Sequence, residues 1–202
     1  ACNVACHDTL LTLCACHLGD GPTSLRLARG SPCDLRTLFD VGEPVRCRRG
    51  WVRSARTELL LTHAAVWSPA PRREFLPSAR IRANLVLASR CLAHRRRTHS
   101  SVIDGAACGV VAALRDACRD LDHEQVVRHV DRLVGWGEGL TPAGDDFLIG
   151  LIAGLDALVQ GQQRRHELLG VISQALGRAS QRTTPIAAHY LQLAAHGHHA
   201  QP

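Results

Sequence analysis

The chain has 202 residues, of which 46% are hydrophobic, so it can bury a core as one large domain or as two smaller layers. No apolar run is long enough for a membrane-spanning helix, and the first residues lack the basic and apolar regions of a secretory signal. The formal net charge is +6, but every basic residue is arginine and only 3% of the residues are aromatic. The arginines are scattered along the chain, which indicates a compositional bias, and few aromatic side chains are present on which bases could stack. We therefore do not expect binding to nucleic acid.

The cysteine pattern indicates a reducing compartment, and we expect a cytoplasmic protein. Nine cysteines are irregularly spaced, and no two of them form a Cys-x-x-Cys pair. Cys14 and Cys16 flank Ala15 in a strand-like run, so we expect both to point to one face as core thiols. With His17 they supply only part of a tetrahedral set, and no metal site is predicted. The absence of methionine suggests a processed or partial product.

Residues 1–76 are predicted to form a β-rich part. Short apolar pieces are separated by turn signals such as Asp20-Gly21-Pro22. These pieces cover four segments: 10–13, 24–28, 45–52 and 58–66. They predict a small, mostly antiparallel sheet or barrel. A connector rich in proline follows, with Pro69, Pro71 and Pro77.

Residues 77–202 are predicted to be helical. From Ile103 to Leu121, apolar residues recur at spacings of three and four, which is typical of an amphipathic helix. Asp122 is a predicted N-cap of the next helix, with Gln125 as its capping-box partner. Further helices are predicted over four segments: 78–94, 141–159, 164–177 and 185–196. The fold class is therefore α+β, with the β-rich part packed on the helical part.

The most informative stretch is the loop GWGEGLTPAGDD, residues 135–146. Gly135 is expected to end the preceding helix in a left-handed conformation. Thr141 is the predicted N-cap of the next helix, with Pro142 at its first position. Three further glycines have no such explanation, although each costs backbone entropy: Gly137, Gly139 and Gly144. This excess of glycine predicts a ligand site, with a purely structural turn as the alternative.

A glycine-rich loop ahead of a helix exposes several backbone N–H groups, and such an arrangement binds phosphate, carboxylate or a developing oxyanion. Asp145 and Asp146 are the candidate catalytic residues. One of them could hold Mg²⁺, a candidate cofactor, or accept a hydrogen bond from a substrate amide, while the other orients the loop. The helix behind them is apolar nearly all round, so its two acids must face a polar cleft or be hydrogen-bonded.

A second candidate anion contact lies downstream in RTTPIAAHY. Thr184 is a cap candidate with Pro185 at the first helical position. Arg182, Thr183 and Thr184 together offer a guanidinium group, two hydroxyls and free amides. An ordinary capped helix is the alternative interpretation. No sequence motif assigns a histidine to a serine or cysteine nucleophile, so no catalytic triad is predicted.

The stretch GWGEGLTPAGDDFLIGLIAGLDA, followed by RTTPIAAHYLQLAAHG, resembles the family of the AllH subunit of oxamate (oxalurate) carbamoyltransferase, formerly described as a domain of unknown function. Members characteristically read G-x-G-x-G-L-T-P-S-G-D-D-x-L-x-G before a Thr-Thr helix start. TLLTLCACHLGDGPTSLRL is also similar to the N-terminal region of that family. Ala143 stands in place of the usual serine, and family members continue past the position of Pro202, so the resemblance implies a C-terminally truncated member.

The resemblance implies a transferase subunit of anaerobic allantoin and purine catabolism that works with acyl-CoA-synthetase-like partner subunits. The enzyme interconverts oxalurate plus phosphate with oxamate plus carbamoyl phosphate, and these ligands are small anions. The resemblance places the family motif on the glycine-rich loop and its two aspartates in this sequence. It places a second set of motif positions on Thr183 and Thr184. A non-catalytic scaffold or regulatory subunit of a metabolic complex is the alternative, and an arginine-rich nucleic-acid binder is a third.

Overall fold

The computed structural model describes residues 1–6, 9–28, 30–31, 34–68, 78–98, 105–159 and 161–200. The chain divides into a first unit, Ala1–Ala70 with His198–Pro202, and a second unit, Pro71–Gly197. All described strands lie in the first unit and all described α-helices in the second. The predicted α+β class is confirmed. The predicted proline-rich connector and Ile103 lie outside the described residues.

The described strands of the first unit form two three-stranded sheets. The first contains β1 (Cys2–Cys6), β2 (Thr9–Cys14) and β3 (Ser24–Arg26), in which β2 pairs antiparallel with β1 and parallel with β3. The second contains β4 (Arg46–Arg48), β5 (Trp51–Arg53) and β6 (Glu58–Leu60), paired antiparallel in that order. The mostly antiparallel pairing agrees with the prediction, whereas the second sheet and β1 were not predicted.

Two details of the predicted strands are wrong. Residues 45–52 do not form one strand, because Gly50 adopts a positive φ of 93° in the turn that separates β4 from β5. Cys14 is a buried core thiol as predicted, but β2 ends at that residue. Cys16 therefore lies beyond the strand and is only half-buried.

One small core serves both sheets of the first unit. Its buried centre consists of Val4, Leu13, Leu35 and Phe39, against which Leu59 of β6 packs. A short 3-10 helix, Leu35–Thr37, contributes Leu35 to this core. Both sheets therefore bury apolar side chains against the same cluster.

The second unit contains six described α-helices: α1 (Ser78–Thr98), α2 (Gly105–Asp120), α3 (His123–Leu133), α4 (Ala143–Leu158), α5 (Gln163–Ala179) and α6 (Pro185–Ala195). Asp122 caps α3 as predicted, since its carboxylate accepts a hydrogen bond from the Gln125 amide at 3.1 Å. The amide of Asp122 donates to the carbonyl of Ala117, so the reciprocal half of a capping box is absent. No described helix is both long enough and apolar enough to cross a membrane.

Helix α4 lies against α3, α5 and α6 and buries Leu148 and Ile152 in their common core. Its sequence is apolar nearly all round, which is typical of a buried helix, but one side of the helix is exposed. Asp146, Gly150 and Gly154 form an exposed stripe. A Cβ at either of these glycines would meet nothing within 4 Å, so no described neighbour packs closely there.

Candidate functional site

The segment between α3 and α4, residues 134–142, is called the glycine loop below. Gly135, Gly137 and Gly139 have φ values of 75°, 107° and 93°. This left-handed region strains any residue with a Cβ, which explains why glycine occupies these positions. The predicted left-handed glycine at the end of α3 is confirmed.

Gly144 is required by a close approach between two helices. A Cβ at this position would lie 2.0 Å from the Leu133 carbonyl oxygen and 2.9 Å from the Trp136 Cβ. The Gly144 amide also donates to the Trp136 carbonyl at 2.9 Å. The first turn of α4 can therefore pack against the end of α3 only if position 144 has no side chain.

Asp145 is fully buried and joins two segments that are distant in sequence. Its Oδ1 accepts a hydrogen bond from the Gly135 amide at 2.8 Å. Its Oδ2 accepts one from the Thr183 hydroxyl at 2.5 Å. The carboxylate thus holds the start of the glycine loop and the segment before α6 against the first turn of α4. The sequence motif identified both Asp145 and Thr183 but contained no signal that they touch.

The helix start lies one residue later than predicted. Pro142, with φ −52° and ψ 142°, occupies the N-cap position, and α4 begins at Ala143. The Pro142 carbonyl accepts hydrogen bonds from the amides of Asp145 and Asp146 at 2.9 and 3.2 Å. The prediction of Thr141 as the N-cap is therefore wrong, because the extended ψ of Pro142 keeps that residue out of the helix.

The amides of this region fall into two groups. Those of Gly135, Trp136 and Gly144 donate to acceptors inside the protein, as do those of Asp145 and Asp146. Six others have no acceptor among the described residues: Gly137, Glu138, Gly139, Leu140, Thr141 and Ala143. In the first turn of α4, only the amide of Ala143 is therefore without an acceptor among the described residues. The other five such amides belong to the glycine loop.

The second predicted set, residues 182–184, lies against the same loop. Thr184 caps α6 as predicted, accepting from the Ala187 amide at 3.1 Å, and it donates its hydroxyl hydrogen to the Leu140 carbonyl at 2.5 Å. The Arg182 guanidinium binds the carbonyl and carboxylate of Asp131 at 2.8 and 3.1 Å. All three side chains of the set therefore already have protein partners, because Thr183 binds Asp145.

A family model described as oxamate carbamoyltransferase subunit AllH matches residues 133–202. Those residues form an AllH-like segment. The match begins at the last residue of α3 and contains the glycine loop and helices α4 to α6. The similarity of the N-terminal stretch to the same family lies outside the matched residues. No curated protein and no solved structure matches the chain.

Asp146 faces solvent, unlike the neighbouring Asp145, which is fully buried. Partial burial of its carboxyl group raises its pKa, and the neighbouring charge of Asp145 raises it further, while a hydrogen bond from Thr141 lowers it. The ionised form of Asp146 is thus held at an energetic cost in the folded protein. Such a carboxylate favours a hydrogen-bond donor or a cation as its neighbour.

This environment predicts a pH-dependent effect of Asp146→Asn on stability. The folded pKa lies above the ordinary value of 3.8, so the protonated form stabilises the fold at low pH and that contribution is lost as pH rises through the folded pKa. Asparagine does not ionise. We therefore expect the variant to gain stability relative to the parent as the pH rises from about 3 to 7. Urea unfolding midpoints of both proteins over that range measure it, and a difference independent of pH would contradict the assignment.

No group of three or more histidine, cysteine, aspartate or glutamate side chains among the described residues could hold a metal ion. Asp145 has both oxygens bound to protein donors, so Asp146 is the more accessible carboxylate for Mg²⁺. Mg²⁺ commonly uses only one or two protein carboxylates together with phosphate oxygens. A magnesium ion would therefore need the ligand itself to complete its coordination.

Proposed function

We propose that the AllH-like segment belongs to a carbamoyltransferase subunit and that its glycine loop binds a small anion. Carbamoyl phosphate, phosphate and oxalurate are the candidate ligands. The observation that supports this most directly is the group of loop amides without an acceptor among the described residues. Gathered backbone N–H groups beside a helix start are a recurring site for phosphate and carboxylate.

The two aspartates have different parts in this proposal. Buried Asp145 positions the loop through its bonds to Gly135 and Thr183 and does not touch the ligand. Exposed Asp146, beside Thr141, is the residue that contacts it. A bare anion would be repelled by the Asp146 carboxylate, so the ligand must present an N–H group to it or share a bridging Mg²⁺. A carbamoyl or ureido group supplies the N–H, and a phosphate supplies oxygens for the metal.

The proposed reaction interconverts oxalurate and phosphate with oxamate and carbamoyl phosphate. The loop amides would stabilise negative charge on the anion, while water exclusion and the remaining chemistry would need other subunits. We therefore propose that the chain acts with acyl-CoA-synthetase-like partner subunits in cytoplasmic allantoin breakdown.

Calorimetric titration of phosphate and carbamoyl phosphate into matched loop variants tests the anion site. In Gly137→Ala the new methyl would lie 3.0 Å from the Ala143 amide nitrogen and cover it. In Gly139→Ala the methyl meets nothing within 4 Å, although both positions have a positive φ. We expect Gly137→Ala to weaken binding by about tenfold, because one hydrogen bond to a charged ligand is lost. Gly139→Ala is expected to retain affinity within about threefold.

Equal losses in the two variants would mean that backbone strain, not the covered amide, controls affinity. Asp146→Asn then separates the two forms of the site. If Mg²⁺ bridges to the ligand, the substitution weakens binding only in the presence of Mg²⁺. If Asp146 instead accepts a hydrogen bond from an N–H group of the ligand, the substitution weakens the binding of carbamoyl phosphate and strengthens the binding of inorganic phosphate. A folded parent protein that binds neither ligand, with or without Mg²⁺, would contradict the proposal.

A scaffold or regulatory subunit is the second candidate, and particular contacts favour it. Gly144 has a packing role and Asp145 a hydrogen-bonding role that need no ligand. The side chains of Arg182, Thr183 and Thr184 are likewise bound within the protein. A scaffold would form a complex with partner subunits with unchanged affinity when Asp146 is replaced by asparagine, and it would give no heat with phosphate.

A further inference from the structure

Helix α1 takes no part in the described core of the second unit. That core lies within residues 110–195 and therefore includes no side chain of α1. Among the described side chains of α1, residues 79–94, Ile81 is half-buried and all the others are exposed. A helix in a protein is normally stabilised by packing of its apolar face. The apolar residues of α1 are thus open to a partner.

A narrow apolar stripe runs along α1, and we call it the α1 seam: Ile81, Leu85, Ala88 and Leu92. Its members are separated by four, three and four positions, which is the a/d spacing of a coiled coil. Leu85 and Leu92 are 60% and 59% exposed. The seam has the width that a single partner helix covers.

The same helix is strongly basic. Its 21 residues contain six arginines and no aspartate or glutamate. Arg80, Arg82 and Arg90 form no ion pair with the described residues. In α2 and α3, by contrast, Arg115 and Arg128 pair with acids of their own helix. The sequence of α1 supplies no such acid, so its arginines favour carboxylates from elsewhere.

This charge distinguishes between the possible occupants of the seam. A second copy of α1 would place six arginines against six, and like charges oppose pairing. A membrane surface requires a broad apolar face, whereas the arginines of α1 are distributed around the rest of the helix. An acidic amphipathic helix matches both the narrow seam and the positive charge. Arg82 occupies an e position beside the seam, where coiled coils form ion pairs between helices.

We propose that α1 is a docking surface for one acidic amphipathic helix of a partner protein. The α1 seam receives the apolar side chains of that helix, and the arginines beside the seam bind its carboxylates. Helix α1 lies outside residues 133–202, so this surface is separate from the AllH-like segment. The proposal does not depend on the anion site of the glycine loop.

Fluorescence anisotropy with a labelled acidic peptide tests this surface on the full chain. The probe is a synthetic peptide of about three heptads with leucine at a and d and glutamate at e and g. Leu85→Ala and Leu87→Ala are a matched pair, because these side chains are 60% and 61% exposed. They point about 200° apart on the helix, so only Leu85 lies in the seam. We expect Leu85→Ala to weaken binding by about tenfold, and Leu87→Ala to change it by less than about twofold.

The contribution of charge has its own matched pair, Arg82→Gln beside the seam and Arg90→Gln away from it. Each removes one positive charge, and we expect only Arg82→Gln to weaken binding, by about threefold. A peptide with glutamine in place of glutamate should bind about tenfold more weakly than the acidic peptide.

Several results would overturn the proposal. Failure of the folded chain to bind the acidic peptide is one, and equal losses in Leu85→Ala and Leu87→Ala are another, since the seam would then be irrelevant. Equal affinity for the glutamine peptide would exclude the acidic partner. Tighter binding to phosphatidylserine vesicles or to a DNA duplex would assign the helix to a lipid or nucleic-acid surface. A dimer in sedimentation that Leu85→Ala dissociates would assign the seam to a second copy of the chain.

Discussion

Replacing Gly144 with alanine is expected to destabilise the second unit by more than about 3 kcal/mol, the upper range for overpacking a well-packed site. The added Cβ would lie 2.0 Å from the Leu133 carbonyl oxygen, a backbone atom that cannot move away by a rotamer change. The first turn of α4 would then have to separate from the end of α3. The hydrogen bond from the Gly144 amide to Trp136 would be lost with it. Urea unfolding followed by helical circular dichroism measures the effect.

Gly150→Ala is the control for this substitution, because it lies in the same helix and its Cβ would meet nothing within 4 Å. Alanine has the higher helix propensity, so we expect this variant to be stabilised by about 0.5–1 kcal/mol. The two changes therefore have opposite signs, although the residues exchanged are identical. Similar effects at both positions would mean that helix propensity, and not the contact with α3, determines the result.

Asp145→Ala is expected to cost about 3–6 kcal/mol, because two hydrogen bonds to a charged group are removed at about 1.5–3 kcal/mol each. The substitution leaves the Gly135 amide and the Thr183 hydroxyl without the acceptor that each now has. Buried donors without acceptors are unfavourable in themselves. We expect the glycine loop to lose its conformation, and phosphate binding, if present in the parent, to be lost as well.

Asp145→Asn separates the geometry of this residue from its charge. The asparagine carbonyl can still accept from the Gly135 amide, and its NH2 group can donate to the Thr183 oxygen, which also accepts hydrogen bonds. We therefore expect a smaller loss, about 1–2 kcal/mol. A double-mutant cycle with Thr183→Val measures the contact directly, and a coupling energy near zero would contradict it. Asp146→Ala, in the same helical turn but exposed, should not show the loss of stability expected for Asp145→Ala, because no hydrogen bond to a buried donor is removed.

Gly144 and Asp145 stabilise the conformation of the glycine loop whether or not a ligand is bound. Gly144 and Asp145 both have structural roles, so their presence in the motif does not by itself indicate chemistry. The amides from Gly137 to Thr141 and that of Ala143 are different, because no acceptor for them exists among the described residues. The proposed anion site therefore depends on the backbone of the loop and on Asp146.

Local features were predictable from the sequence because each depends on residues only a few positions apart. The caps formed by Asp122 and Thr184 follow from a short polar side chain placed ahead of a helical pattern. The left-handed conformation of Gly135 follows from the position of this glycine at the end of a helical pattern. The α+β class followed from the change of hydrophobic period along the chain, and the AllH-like segment was identified by the resemblance of its glycine-aspartate motif to that family.

Only the tertiary structure determined the contacts between distant residues. The bond between Asp145 and Thr183 spans 38 positions, and no periodic pattern encodes such a pairing. The clash that makes Gly144 necessary depends on where α3 ends relative to α4. The division of the strands into two sheets depends on which strands pair. Side-chain periodicity specifies which face of an element is buried, whereas packing of the whole unit decides what that face meets.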